Sequence, residues 1–582
     1  IQDSDKKSRS NRAAFFYQYI VYSLVKLNLP IQTSTKLNCY MIKYFLPLAT
    51  CFLMTSCSTP SADLLIYNAR IYTVDSNFQV VEAMAIDKGV IVATGEKGAL
   101  EAAYTFDKKE DAAGHFIYPG FIDAHAHFVG YAMELLQVNL VGTKSWEEII
   151  EKVKDFANEN PSGWIIGRGW DQNDWASKNY PTNKDLNRLF PDRPVLLTRI
   201  DGHAAIANQK ALTLAGVIGN EKLVGGEIET INQVPTGILI DNAVDLVSSK
   251  VPAITKEAFT TAILKAQQNC FAMGLTTLDD CGLDFEVVEK LKQLQAEDSL
   301  RMRLYIMLSD KPTNYAYALK NGKLISDKMT VRGFKVYGDG ALGSRGACLL
   351  QPYSDRSQHY GFLLSSAAHY DSIASWCIKN GWQMNTHAIG DSGNRVILST
   401  YAKYLPPSND LRWRIEHAQV VNPGDVSTFG NYQIIPSVQP THATSDMYWA
   451  IERLGKTRIN HAYAYQSLLK QNNWLPLGTD FPVEDISPFK TFYAAVFRQD
   501  TNEWPANGFQ TQDALSREQA LRGMTIWAAK ANFEEQKKGS LEKGKWADFV
   551  LLDKDLMTVS PKELKEIKVV ATYCNGKKEY SH

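Results

Sequence analysis

Eight short apolar runs, separated by helix-like segments, constrain this chain more than any other feature. They cover residues 121–128, 275–280, 303–307, 333–337, 383–387, 414–417, 433–438 and 475–480. Strands alternating with helices argue for a parallel sheet. Eight is the count at which such a sheet closes into a (β/α)8 barrel, a fold that carries its chemistry at the C-terminal ends of its strands. Most of these runs end in residues suited to chemistry. In the first, Asp123, His125 and His127 alternate and so are expected to project together. Later runs carry Lys335 or end in His387, His417 and Asp480. One polar residue at a strand end is more often a satisfied core or capping group. Five or six at corresponding ends of different strands are poorly explained that way. Neutral imidazoles beside an acid suit a divalent metal such as zinc. Lys335 sits in Gly-Phe-Lys-Val-Tyr, where an unpaired ammonium would be costly and a desolvated amine can act as a nucleophile.

At 582 residues the chain is too long for one simple core. A stretch of about 145 residues separates the first two runs, more than a loop requires. Residues 140–265 are expected to form an inserted lid or substrate subdomain within a barrel domain spanning 119–538. Short alternating strands at 62–118 and again at 539–578 are expected to combine into one small β-sandwich built from both chain ends. Residues 41–57 read as a signal peptide: Lys43, an apolar core from Tyr44 to Met54, then Thr55-Ser56-Cys57. Small residues before Cys57 resemble a bacterial lipobox, which implies a lipid on Cys57 and an exported, membrane-anchored protein. Residues 1–40, which precede the first methionine, are expected to be translated upstream sequence that carries no fold. Basic and acidic residues number 62 and 63, so the chain has no global basic field for nucleic acid. Eight scattered cysteines form neither a zinc-finger pattern nor a disulfide framework.

The set His125, His127, Lys335, His387, His417 and Asp480 resembles the metal-dependent hydrolases of the amidohydrolase superfamily. Local wording is similar to its family 3 branch, which includes N-substituted formamide deformylases: GWIIGRGWDQ, DGHAAIAN, FKVYGDGALGSRGA, THAIGDSGN, EHAQ, QPTHATSDM and GTDFPVE. The resemblance covers roughly residues 62–578, with its motifs in order. It implies one or two zinc ions per chain. His125, His127 and Asp480 would hold the more buried metal, with His387 and His417 at the second. Lys335 would carry a carbamate bridging the two. A metal-activated hydroxide would attack an amide-like carbonyl, with Asp480 moving the proton to the leaving amine.

His203, in Asp-Gly-His within the insertion, is expected either to enter from the lid and bind the carbonyl or to cap the following helix. His442, Trp170 and Asp171 are candidates for substrate contact; Trp175 and Trp449 fit a pocket lining or plain packing. Gly338-Asp-Gly-Ala-Leu-Gly343 matches G-x-G-x-x-G literally, but it follows a strand bearing Lys335 in the middle of the series, so it is not read as a dinucleotide loop. The leading expectation is a hydrolase of carbon–nitrogen bonds such as N-formyl or N-acyl amines. The alternatives are a mononuclear deaminase or other hydrolase on the same barrel, and a metal-free scaffold, which lost ligands would mark. Expected partners are a small-molecule substrate, a membrane through Cys57 and a second copy in a homodimer, with no nucleic acid.

Overall fold

A computed structural model describes residues 59–252 and 254–582; the readings of 1–40 and 41–57 fall outside the described residues. At its centre is a parallel sheet whose strands run in sequence order: β1 Phe121–Ala126, β2 Leu275–Leu283, β3 Arg303–Ser309, β4 Met329–Tyr337, β5 Gln383–Ala388, β6 Arg414–His417 and β7 Ile435–Ser437. Each pairs in parallel with the next. β1, β5, β6 and β7 are buried at every position. That pattern belongs to strands covered on both faces. Helices such as Lys256–Ala272 and Asp391–Tyr404 supply the outer cover, with Thr255 capping the first through its side chain.

Residues 475–480, expected as an eighth strand, form an irregular closing segment. A single parallel bridge joins Val438 to Leu477. On the other side Ala124 N donates to Leu477 O (3.1 Å) and Asp480 N to His125 O (2.7 Å). The cause lies in three residues. Pro476 has no N–H to donate. Gly478 lies so close to β1 that a β-carbon there would fall 2.5 Å from His125 N. Asp480 turns away at φ 65°. Side-chain bonds replace the missing ladder: Asp123 accepts from Thr479 N (2.9 Å) and Thr479 Oγ1 (2.6 Å). Asp123 therefore latches the barrel shut.

Between β1 and β2 the chain builds a six-stranded sheet in the order Gly226–Ile231, Val234–Asp241, Ala204–Ala207, Val195–Arg199, Ile165–Trp170 and Val138–Asn139. The helix Trp146–Glu159 packs on it, capped by Ser145 Oγ accepting from Glu148 N. Helix Lys256–Ala272 belongs instead to the barrel, where it packs on the helix Phe128–Glu134 and on β2.

The two chain ends share one sheet. Phe549–Leu552 pairs antiparallel with Phe116–Pro119, and a second sheet of Ser61–Tyr67, Ala83–Asp87, Val90–Gly95 and Thr105–Asp111 faces it. Leu64, Ile66 and Met84 meet Phe549, Leu551 and Tyr573 between the layers. Among the described residues, no helix is long and apolar enough to cross a membrane.

The latch at Asp123 is testable. Asp123→Ala leaves the buried Thr479 N–H without its acceptor, and we expect it to lower stability by about 1–3 kcal/mol. Urea unfolding measures this; an unchanged midpoint would contradict the role.

Candidate metal centre

The barrel's C-terminal mouth gathers five histidines, a lysine and a carboxylate. His125 lies on β1, and His127 begins the helix Phe128–Glu134, whose Val129 N–H is held by Asp280 Oδ2 at 3.0 Å from the end of β2. Lys335 comes from β4, His387 from β5 and His417 from the end of β6. His442 sits in the helix Pro440–Asp446 after β7, and Asp480 on the closing segment.

Asp480 is the hub. Its Oδ1 lies 3.2 Å from His127 Nε2 and 3.5 Å from His125 Nε2, and its Oδ2 lies 3.2 Å from His442 Nε2. His125, His417 and Asp480 offer ligand atoms all within 4.8 Å of one another. The rings of His387 and His417 stand 4.5 Å apart between centroids, and Lys335 Nζ lies 3.0 Å from His125 Nε2.

Electrostatics prepare this cluster for a cation. Burial and the neighbouring lysine charge lower the His125 pKa to about 4. Burial also holds His387 and His417 well below the usual imidazole range. Neutral imidazoles keep a lone pair for a metal. Burial opposes the Asp480 charge, but His125, His127, His442 and His417 outweigh it and keep the carboxylate well below its ordinary range. His387 Nε2, His417 Nδ1 and Asp480 Oδ1 are buried and lack a hydrogen-bond partner. Three orphaned acceptors on neighbouring side chains are costly in a bare protein, whereas bound divalent cations would satisfy them. The residues fit the group. His417 and Asp480 also hold φ of 72° and 65°, the left-handed region that bulky residues adopt only under constraint.

Beneath the cluster lies a residue set that the strand-end reading missed. Glu416 Oε2 accepts from His125 Nδ1 at 2.5 Å, leaving Nε2 for a metal. Arg414 pairs with Glu416 (2.6 Å) and Asp279 (2.9 Å), all three side chains being fully buried. Burial opposes the Glu416 charge, but the Arg414 guanidinium outweighs it and keeps Glu416 ionised. The signal was present in Arg-Ile-Glu-His, a strand in which three of the four residues are polar or charged.

The insertion delivers His203 to the mouth, its ring 5.5 Å from that of His387. His203 Nδ1 donates to Asp241 Oδ1 at 2.6 Å. Burial works against its charge, but that bond and the Asp241 charge raise its pKa to about 8. The structure does not bring Trp170 to this cluster. Trp170 is fully buried in the core of the inserted sheet, where its Nε1 donates to Leu197 O (2.8 Å) and its ring packs near Trp175 and Tyr180. Trp175 is likewise buried. Asp171 accepts from the buried guanidinium of Arg199 rather than facing the metal ligands. Trp449 lies over Gly343. In Gly338–Gly343, Asp339 accepts from Ile389 N (2.9 Å), Gly390 N (2.8 Å) and Cys348 N (2.8 Å), bracing the turn after His387.

Removing the charge behind His125 should be felt at the metal. Glu416→Gln is expected to weaken zinc binding about 10–100-fold in a chelator competition titration. Unchanged affinity would show that Glu416 does not support the ligand.

Comparison with known proteins agrees with this geometry. A family model described as the amidohydrolase family matches residues 109–580. Over 538 residues the chain is 34% identical to the protein LONG AFTER FAR-RED 3 of Arabidopsis thaliana, covering 89% of this chain and 92% of that one. An N-substituted formamide deformylase of Arthrobacter pascens is 25% identical, with 90% and 99% covered. A solved structure titled an uncharacterized metal-dependent hydrolase from Pyrococcus horikoshii superposes with a TM-score of 0.71 at 27% identity, covering 86% of this chain and 99% of its own. With its barrel, its polar mouth and this match over most of its length, the chain belongs to the amidohydrolase family of metal-dependent hydrolases.

Proposed function

We propose that this protein hydrolyses an amide-like carbon–nitrogen bond, with N-formyl and N-acyl amines as the substrate class. The observation that carries the reading is the set of unpartnered buried acceptors His387 Nε2, His417 Nδ1 and Asp480 Oδ1 at the barrel mouth. The Arthrobacter pascens relative, whose name assigns it N-substituted formamides, supports the substrate class.

His125, His127 and Asp480 would hold one divalent cation, and His387 and His417 a second. Bound there, the cations supply charge that polarises a carbonyl and acidifies water. Lys335 Nζ lies 3.0 Å from His125 Nε2, a contact that suits an ammonium facing a lone pair. Once that lone pair goes to a cation, an ammonium beside it becomes a like charge. Loss of a proton from that ammonium, then addition of carbon dioxide to the free amine with loss of a second proton, would turn Lys335 into an anionic ligand and remove the conflict.

Asp480, kept ionised by its histidine neighbours, accepts a proton from the attacking water and passes it to the leaving amine. Its position between His125, His127 and His442 holds it at the centre of the site. His203 enters from the insertion and donates a hydrogen bond to the substrate carbonyl oxygen, where negative charge develops.

Protein depleted of metal with a chelator, then reloaded with zinc in bicarbonate, tests the reading against a panel of N-formyl and N-acyl amines. The expectation is hydrolysis lost on depletion and restored by zinc, with about two metals per chain falling to about one or fewer in Lys335→Ala. Hydrolysis that survives complete depletion, or turnover of esters alone, would contradict it.

A further inference from the structure

Asp241 ends the strand Val234–Asp241 of the inserted sheet, yet its side chain lodges against the barrel. A β-carbon on Gly340 would sit 3.2 Å from Asp241 Oδ1, and one on Gly346 would sit 2.9 Å from Oδ2. Those two glycines also back onto each other, since a β-carbon on Gly340 would fall 3.0 Å from Gly346 Cα. The loop that follows β4 and Lys335 therefore presents a notch of bare backbone, filled by one carboxylate from the insertion.

The same carboxylate governs His203. Asp241 Oδ1 accepts from His203 Nδ1 (2.6 Å), and Asp241 N donates to His203 O (2.8 Å). On the far side, His203 N donates to Asp201 Oδ1 (3.0 Å). With Nδ1 engaged, Nε2 is the free ring nitrogen, and the ring stands 5.5 Å from that of His387. A residue that only docked the insertion would have no need of this geometry. Asp241 holds φ 50°, its side chain is 1% exposed, and its Oδ2 has no hydrogen-bond partner. Such strain and unmet bonding persist where the surroundings impose them.

We propose that Asp241 is a positioning residue: wedged between Gly340 and Gly346, it fixes the aim of the His203 ring, so that Nε2–H meets the substrate's carbonyl oxygen only when the insertion is seated on the barrel. This rests on the hydrolase reading above. His203 makes the contact with substrate, and Asp241 acts through it. Completion of the site is thereby tied to seating of the insertion, and Gly340 and Gly346 are required for lack of room rather than for backbone freedom.

Acetohydroxamate is a suitable probe, because it offers a metal-chelating carbonyl oxygen whatever the natural substrate. Its affinity for the zinc-loaded full chain would be measured by calorimetry in wild type, His203→Ala, Asp241→Ala and the double variant, with metal content determined for each. Each single variant is expected to bind about tenfold more weakly, and the double variant no more weakly than His203→Ala. Asp241→Asn, which keeps an oxygen acceptor for Nδ1–H, should recover part of the loss. Gly346→Ala, which crowds the carboxylate without removing it, should reproduce the Asp241→Ala defect and covers the case in which Asp241→Ala does not fold. Wild-type affinity in Asp241→Ala, or a double variant whose loss is the product of the two singles, would overturn the proposal. So would a zinc-loaded wild type whose binding ignores His203. A wild type that takes up no metal would overturn the hydrolase reading itself, and this proposal with it.

Discussion

A fully buried guanidinium supports everything above it. Arg414 pairs with Glu416 on its own strand and with Asp279 on β2, and donates to Ser437 Oγ on β7 (2.9 Å) and to the backbone oxygen of Ala124 on β1. Asn532 in turn donates to Asp279. One side chain thus touches four strands, and through Glu416 it fixes the ring of His125. Burying such charges is expensive unless every partner is present, and losing one partner from a buried set costs far more than the pair contributes. The arrangement is poorly explained as a source of stability. It makes sense as the price of holding a metal ligand in one orientation.

The mouth above shows the same trade. His417 and Asp480 adopt left-handed backbone, and acceptors on three side chains have no partner within the protein. Neutral imidazoles, an ionised aspartate and a lysine are gathered at one barrel mouth. Each feature is unfavourable alone, and together they describe a site completed by cations. The insertion contributes more than cover. Its His203 stands beside His387, so the insertion and the barrel each supply part of one constellation.

Much of this was legible in the chain. Strand ends are where a parallel barrel collects its chemistry, so His125, His127, His387, His417 and Asp480 could be picked out by position as well as type. What escaped had physical reasons. Glu416 adjoins His417, and a strand sends neighbouring residues to opposite sides. Reading His417 as the functional side left Glu416 unassigned, although it reaches inward to His125. Asp241 gave no signal, because its partner His203 lies in the bend before another strand and its socket is formed by glycines of the barrel. Residues 475–480 close the barrel as an irregular segment rather than the expected eighth strand, and Pro476 and Gly478 were the local warning against a ladder. Trp170 shows the limit of reading by residue type: tryptophan suits a pocket or a core equally, and its burial depends on a sheet whose pairing the sequence does not spell out.

The central claim is that this cluster is a cation site completed by a modified lysine. The most direct measurement is a crystal structure of the zinc-loaded protein grown with bicarbonate, with anomalous diffraction recorded at the zinc edge. The account predicts anomalous peaks within coordination distance of His125 Nε2, His387 Nε2, His417 Nδ1 and Asp480 Oδ1, with density extending beyond Lys335 Nζ. Zinc absent from these side chains, or bound there with Lys335 left as a bare amine against His125, would contradict it.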